Sequence, residues 1–159
     1  HSGKKLRYHD PELNQSYVPY VVETSIGLDR MFLAILSNAY NEEVLEDGNS
    51  RVVMKIPPIL APYKVAVFPL TKKDGLPEKA GEIMSSLMHD HMCFYEEKDA
   101  IGKRYRRHDA IGTPYCVTVD HQTLEDNTVT IRERDSMLQE RISIDEISGV
   151  IEERIKARI

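Results

Sequence analysis

Apolar and polar residues follow one another along this chain with two spacings, one typical of β-strands and one typical of helices. The spacing first predicts a strand over residues 17–22, where Pro19 indicates a sheet edge or a bulge. Residues 28–40 come next, and apolar side chains cover most of the surface of the predicted helix. Because such a helix is buried on nearly all sides, we expect most of its domain to lie outside this chain.

After residue 50 the pattern changes repeatedly between strand and helix. Strands that alternate with helices predict an α/β fold, with a mixed, mostly parallel sheet and helices on both faces. A closing antiparallel hairpin makes the sheet mixed. The predicted strands are 51–56, 64–70, 91–95, 115–120, 129–134 and 137–142, and the predicted helices are 77–90, 101–110 and 144–159.

A proline-rich connector indicates a domain boundary. Pro57, Pro58 and Pro62 stiffen the chain between two parts with different patterns. We therefore predict one domain over residues 1–58 and a second domain over residues 59–159. Within the first domain, the acidic stretch 41–50 predicts a loop.

Composition narrows the classes of protein. The chain has 159 residues, 41% hydrophobic and 30% charged residues, and a net charge of −5, as in an ordinary globular protein. Contact with a nucleic acid therefore requires a local basic patch. No apolar run approaches the roughly 20 residues that cross a bilayer, so no membrane contact is expected. Cys93 and Cys116 lie in apolar strand patterns, which favours free thiols over a disulfide and predicts a cytoplasmic protein.

The junction between the first strand and the first helix carries candidate chemistry. The Arg30 guanidinium can stack on a purine or bind phosphate oxygens, and the helix N-terminus adds a positive dipole end. The alternative is a salt bridge to Asp29 or to a neighbour outside this chain. Glu23 and Ser25 point the same way if the strand continues, so together they can hold an ammonium group. The alternative is an exposed glutamate and a helix-capping serine.

A basic segment within residues 101–108 is the second candidate. At helical spacing Ile101 and Tyr105 face the sheet, and most of the cations then face solvent, where they suit an RNA backbone. The alternative is a solvated helix face that nearby carboxylates balance. The cations are Lys103, Arg104, Arg106 and Arg107, and the carboxylates are Glu96, Glu97, Asp99 and Asp109.

One pattern suggests a metal site but is incomplete. His89 and His91 flank Asp90, yet the group straddles a predicted helix end and has no third ligand nearby. We therefore predict a surface loop there and no metal site in the chain.

The ordered set of motifs resembles class II aminoacyl-tRNA synthetases. Residues 23–30, followed by an apolar helix, resemble motif 3, in which a strand of the antiparallel catalytic sheet leads into a helix whose arginine contacts ATP. The downstream half is similar to the anticodon-binding domain of the subgroup with the glycyl, threonyl, prolyl and histidyl enzymes. Within that subgroup the chain resembles the glycyl-tRNA synthetases, through residues 22–25, 60–62, 101–107, 110–115 and 128–137.

The resemblance implies roles for individual residues. Arg30 is the expected catalytic residue, packed on adenine and in contact with the triphosphate. Gly27, Leu28 and Asp29 would line the ATP site beside it. Glu23 and Ser25 would hold the glycine ammonium group. The implied ATP site is Gly27, Leu28, Asp29 and Arg30; the implied glycine site is Glu23, Thr24, Ser25, Ile26 and Gly27; the implied tRNA site is Lys103, Arg104, Arg106 and Arg107.

The resemblance also implies a reaction. ATP and glycine would give glycyl-adenylate, and the glycyl group would pass to glycine-specific tRNA. ATP is a substrate, and Mg²⁺ and a homodimer are expected of the intact enzyme. Catalysis would rest on positioning and charge stabilisation.

The chain departs from the family pattern because motifs 1 and 2 are absent. We therefore expect it to be the C-terminal part of the enzyme, inactive in glycine activation by itself. An alternative is a stand-alone RNA-binding accessory module of the anticodon-binding type, although such a module has no use for Arg30. Another synthetase of the subgroup is disfavoured, because residues 119–128 lack the glycine-then-glutamate turn expected of the prolyl and histidyl enzymes.

Overall fold

The structure is a computed structural model that describes residues 3–4, 6–46 and 48–158. The chain forms two compact units, residues 1–32 and 33–159. The domain boundary predicted from the prolines, near residue 59, lies inside the second unit and stays a prediction. No helix among the described residues is long and apolar enough to span a membrane.

The first unit contains a small antiparallel hairpin of β1 (Tyr8–Asp10) and β2 (Gln15–Tyr17). The rings of Tyr8 and Tyr17 meet edge to face across it, with centroids 5.8 Å apart. The predicted strand over 17–22 is wrong beyond Tyr17, since residues 18–27 have no regular secondary structure. An apolar segment becomes a strand only where another strand completes its hydrogen bonds, and among the described residues no strand pairs with residues 18–22.

Helix α1 (Leu28–Ala39) confirms the helix predicted at 28–40. In this chain Leu28 is 83% exposed and Leu33 is 65% exposed, so burial of the helix inside a larger domain stays a prediction. Ala39 is the one buried residue of the helix. The apolar surface that the sequence predicts is therefore present but uncovered.

Strands β3 (Tyr40–Val44) and β4 (Ser50–Met54) form an antiparallel hairpin that begins directly after α1. The acidic loop predicted at 41–50 is therefore shorter than expected. Glu43 lies opposite Arg51 in the ladder, and their side chains form an ion pair of 2.6 Å. An acidic strand is stable here because its carboxylate meets a cation across the ladder, which hydrophobic spacing does not reveal.

A five-stranded sheet forms the centre of the second unit, in the order β6-β5-β7-β8-β9. Strand β5 pairs in parallel with β6 and β7, whereas β8 runs antiparallel to β7, and β9 runs antiparallel to β8. Four of the five strands therefore run in one direction, which confirms the mixed, mostly parallel sheet. The strands are β5 (Val65–Pro69), β6 (Cys93–Tyr95), β7 (Tyr115–Val119), β8 (Thr128–Glu133) and β9 (Gln139–Ser143).

Helices cover both faces of this sheet, as predicted. Val65 and Val67 of β5 point to one face, where they pack with α2 and α5. Phe68 points to the other face and packs with α3. The helices are α2 (Leu76–Leu87), α3 (Ile101–Ile111), α4 (His121–Asp126) and α5 (Ile147–Lys156), with single 3₁₀ turns at Pro58–Leu60 and Ile144–Glu146.

Both cysteines are free thiols, as predicted, with Cys116 buried and Cys93 half-buried. Helix α4, a single short helix, was not predicted from the sequence. Its first turn is held by a capping box, in which the Asp120 carboxylate accepts from the Thr123 backbone and the Thr123 hydroxyl accepts from the Asp120 backbone.

Candidate nucleic-acid interface

Helix α3 carries the basic segment and packs on the second face of the sheet. Ile101 and Tyr105 are partly buried against the Phe68 cluster, which confirms their predicted orientation. The helix ends at Gly112, whose φ of 85° is the left-handed conformation that glycine adopts most readily. A β-carbon at this position would lie 3.1 Å from the Ile56 side chain and 3.1 Å from the Met54 carbonyl oxygen, so α3 ends in close contact with the segment after β4.

The four cations of α3 lie in different environments. Lys103 and Arg106 are exposed, as predicted. Arg107 is bridged to Glu96 at 2.7 Å and to Asp99 at 3.0 Å. The hydrogen bond to Glu96 is the largest cause of a raised pKa for the Arg107 guanidinium. Lys103 and Arg106 are thus the cations most available to a polyanion.

Arg104 is 3% exposed, unlike its neighbours on the helix. Its guanidinium donates to backbone carbonyls, among them Asp99 at 2.8 Å and Lys98 at 3.2 Å, and to the Pro69 carbonyl at the end of β5. Burial lowers the pKa of this guanidinium. The structure therefore gives Arg104 a structural role, and a direct contact with RNA is not supported.

A cavity of about 790 Å³ opens beside α3, next to the β8–β9 hairpin. Its lining includes four cations and one aromatic ring, a combination that suits unstacked nucleobases and phosphates. The lining residues are Ala100, Gly102, Lys103, Tyr105, Arg106, Arg107, Arg132, Met137 and Gln139.

Arg132 and Tyr105 form a stacked pair in this cavity. The guanidinium carbon of Arg132 lies 4.8 Å from the centroid of the Tyr105 ring, within cation–π range. The Tyr105 hydroxyl is 2.7 Å from the Thr118 hydroxyl, which fixes the other end of the ring. Arg132 was not among the predicted site residues. A signal existed, because Val129 and Ile131 alternate with it and so place its charge on the α3 face.

A buried carboxylate lies behind this pair. Asp109 on α3 is fully buried and accepts two hydrogen bonds from Arg132, at 2.8 and 3.0 Å. Arg51 from β4 donates to the same carboxylate at 3.1 Å, and Arg106 lies 3.5 Å from it. Burial acts to lower the pKa of Arg132, but the hydrogen bonds and charge of Asp109 outweigh it, and the pKa is raised. Arg132 therefore stays charged in the cavity.

His108 lies on the same helix, in the core behind the cavity. Its ring packs between Phe68 and Phe94, with centroids 5.1 Å away on each side. Its Nδ1 is 3.0 Å from the Thr113 hydroxyl. Burial lowers the pKa of His108 to about 4, although Glu96, 3.7 Å from Nε2, acts against this shift. The imidazole is therefore neutral at neutral pH.

The strand-to-helix junction of the first unit is open in this structure. All residues from Glu23 to Arg30 are exposed, and α1 begins at Leu28. The Met31 amide donates to the Gly27 carbonyl at 3.0 Å, which closes the first helical turn. A β-carbon on Gly27 would lie 3.8 Å from the Arg30 side chain, an ordinary contact. The predicted ATP and glycine sites, and the catalytic role of Arg30, stay predictions.

The histidine pair at residues 89–91 lies near α5. His91 Nε2 is 3.3 Å from the Ser148 carbonyl oxygen, and Asp90 accepts from the Ser148 hydroxyl at 2.9 Å. Among the described residues no group of three or more histidine, cysteine or acidic side chains is arranged to hold a metal ion.

The second unit is therefore an α/β domain with a mixed sheet and, beside α3, a cavity lined by cations and one aromatic ring. Comparison with known families identifies one family: the model of the anticodon binding domain matches residues 64–154. The chain belongs to this family. The match spans β5 to α5, and it includes Asp109, Arg132 and the cations of α3.

Comparison over the whole chain finds relatives that all carry the same name. The chain is 55% identical to a glycine–tRNA ligase of Clostridium tetani over 156 residues, which are 98% of this chain and 33% of the relative. It is 53% identical over 152 residues to a glycine–tRNA ligase of Borreliella burgdorferi, covering 96% of this chain and 34% of the relative. A Rhodopirellula baltica relative of the same name is 51% identical over 160 residues, which are 98% of this chain and 30% of the relative. The chain thus spans about a third of the length of these curated relatives.

Proposed function

We propose that this chain is part of a glycine–tRNA ligase and that its second unit binds the anticodon loop of glycine-specific tRNA. The observation that carries the proposal is the Arg132–Tyr105 stack in a cation-rimmed cavity inside the family-matched residues. An unpaired nucleobase gains about 1–3 kcal/mol from stacking on an aromatic side chain. A guanidinium fixed beside the ring can add hydrogen bonds to the base edge.

The rim of the cavity supplies charge for the RNA backbone. Lys103 and Arg106 are exposed and contact phosphates in this proposal. Arg107 contributes less, because Glu96 and Asp99 already neutralise it. The net charge of −5 for the whole chain makes such binding local to this surface.

The proposed role of the first unit is in glycine activation by the whole ligase. Arg30 contacts ATP, with Gly27, Leu28 and Asp29 beside it, and Glu23 and Ser25 hold the ammonium group of glycine. The carboxylate of glycine attacks the α-phosphate of ATP, which forms glycyl-adenylate and releases pyrophosphate. The terminal ribose of the tRNA then takes the glycyl group.

These residues are exposed in this chain, so the sites need further parts of the ligase to close them. Mg²⁺, homodimer formation and a cytoplasmic location belong to the proposal for the whole ligase.

A ligase accounts for the observations better than an accessory RNA-binding module. Identity of 55% extends over 98% of the chain, so it includes most of the first unit as well as the anticodon-binding part. An accessory module has no use for Glu23, Ser25 and Arg30.

The test separates the two activities in the intact ligase. Glycine-dependent pyrophosphate exchange reports activation, and tRNA charging reports both steps. Arg30→Ala should abolish exchange and charging. The double variant Lys103→Ala/Arg106→Ala should leave exchange unchanged and raise the KM for tRNA roughly tenfold or more, as expected from the loss of about two phosphate contacts.

A matched double variant, Lys79→Ala/Lys156→Ala, removes two charges from α2 and α5 on the opposite face of the sheet. It should leave both activities unchanged. Equal charging by wild type and the Lys103/Arg106 variant contradicts the RNA-binding part of the proposal. Absence of glycine-dependent exchange in the intact wild-type protein contradicts the ligase part.

A further inference from the structure

The cavity beside α3 contains an arginine that has lost most of its freedom to move. Arg132 is 3% exposed, although it lines an open cavity. Its two terminal nitrogens bind both carboxylate oxygens of Asp109, and its flat side lies over Tyr105. A bidentate pair of this kind fixes the plane of the guanidinium as well as its position.

The charges around Asp109 are unbalanced. Arg132, Arg51 and Arg106 all lie within 3.5 Å of this one carboxylate. Glu43 neutralises part of the excess through Arg51, at 2.6 Å, but it makes no contact with Arg132. The cluster therefore keeps a net positive charge at the cavity, while the carboxylate holds the nearest guanidinium in one orientation.

We infer that Asp109 is a positioning residue for RNA binding, which orients Arg132 against Tyr105 so that the cavity discriminates between nucleobases rather than merely attracting RNA. The inference rests on the proposed function of the cavity. Asp109 is fully buried, so it acts only through the arginines that it holds. The negative charge of Asp109 opposes RNA binding. Removal of this charge should therefore strengthen the overall attraction of RNA and, at the same time, weaken the discrimination between nucleobases.

The substitution Asp109→Asn tests this in the full chain. It keeps the size of the side chain, removes one negative charge and offers a single acceptor oxygen to Arg132. Binding to glycine-specific tRNA and to an anticodon-altered version is measured at low and high salt, with urea unfolding in parallel. We expect the ratio of the two affinities to fall roughly tenfold, while affinity for the altered tRNA at low salt holds or rises with the added net positive charge.

A purely structural role gives a different result. Partial unfolding lowers affinity for both tRNAs together and leaves the ratio between them unchanged in the folded fraction. The matched control is Glu43→Gln, which removes the same unit of charge from the same cluster without touching Arg132. We expect it to leave the ratio unchanged.

Arg132→Lys supplies a second route if Asp109→Asn does not fold. Lysine keeps the charge and loses the planar fork, so the ratio should fall as it does for Asp109→Asn. Where Asp109→Asn does fold, the losses in the double variant Asp109→Asn/Arg132→Lys should not add, because both substitutions remove the same oriented group. The inference is overturned if the folded Arg132→Lys variant keeps the wild-type ratio of the two tRNA affinities, or if the losses in the double variant add.

Failure of the proposed function is distinguishable from failure of the inference. If wild type binds both tRNAs equally, the cavity does not read the anticodon, and both are overturned. If wild type discriminates and Asp109→Asn discriminates equally well, the proposed function stands and the positioning role is overturned.

Discussion

Arg51 on β4 donates to the buried carboxylate of Asp109 on α3 at 3.1 Å, across 58 positions of sequence. The bond joins the β3–β4 hairpin, outside the family-matched residues 64–154, to a helix inside them. Arg51 also donates to the Arg134 carbonyl at 2.9 Å. The hairpin is therefore part of the folded unit that carries the cavity beside α3, although the family match does not include it.

Loss of this link should destabilise the second unit. Arg51→Met leaves buried acceptors unpaired, and it should lower the free energy of unfolding by about 2–4 kcal/mol, because Arg132 still neutralises Asp109. Urea unfolding of the full chain measures the change. Lys55→Met removes the other, more exposed partner of Glu43 and should cost under about 1 kcal/mol. Equal effects of the two substitutions would contradict the importance of the buried link.

Arg104 should behave as a structural residue. Arg104→Met leaves several backbone carbonyls without a donor and should lower the free energy of unfolding by at least about 2 kcal/mol. The exposed neighbour Lys103 serves as control, since Lys103→Ala should leave unfolding unchanged and weaken RNA binding. A folded Arg104→Met variant that binds RNA more weakly than Lys103→Ala would restore Arg104 as a contact residue.

The stability of the C-terminal end of α3 should depend on Gly112. Alanine there combines a strained φ of 85° with a β-carbon 3.1 Å from the Met54 carbonyl oxygen. Gly112→Ala should therefore cost about 2–4 kcal/mol, from the strained backbone and the overpacking. Gly75→Ala is a matched control, because its φ is 77° and nothing lies within 4 Å of the added carbon. It should cost about 1 kcal/mol. Thermal or urea unfolding of both variants checks the difference, and equal costs would exclude the close contact.

The free energy of unfolding should fall as the pH is lowered from 7.5 to 5, because of the lowered pKa of His108. Its pKa is lowered to about 4 in the folded chain, so the unfolded chain binds a proton that the folded chain does not. With an unfolded pKa near 6.5, the expected loss is about 2 kcal/mol by pH 5. The Asp120 carboxylate, whose pKa is held at about 2 mainly by a hydrogen bond from Arg141, titrates below this range.

Substitution separates His108 from other groups. His108→Gln should flatten the pH dependence of the free energy of unfolding over this range, whatever its own stability. A wild-type slope in the His108 variant would assign the effect elsewhere.

Elements with a strong local pattern were predictable from the sequence. Strands β5 and β7, the β8–β9 hairpin and helices α2 and α3 lie close to the predicted ranges, because hydrophobic spacing alone specifies them. The β1–β2 hairpin, β3 and α4 were missed because they are short and polar. A cross-strand ion pair stabilises β3, and a capping box stabilises α4, and neither contributes to hydrophobic spacing.

The candidate site was predictable in part. The basic helix and its orientation follow from the positions of Ile101 and Tyr105. Arg104 and His108 share that buried stripe at positions i+3 and i+7 from Ile101, a signal that the charge of the segment obscured. The role of Arg132 depends on a contact with a helix far away in sequence, which local patterns do not encode.

The most direct test of the account is the affinity of the full chain for glycine-specific tRNA, compared with an anticodon-altered version at two salt concentrations. Wild type should prefer the first by roughly tenfold or more, since a bidentate pair of hydrogen bonds to the correct base is worth about 1–3 kcal/mol of discrimination. The triple variant Lys103→Ala/Arg106→Ala/Arg107→Ala should bind more weakly and with a shallower salt dependence. Equal binding of both tRNAs, unaffected by the triple change, would contradict the anticodon-binding role of this surface.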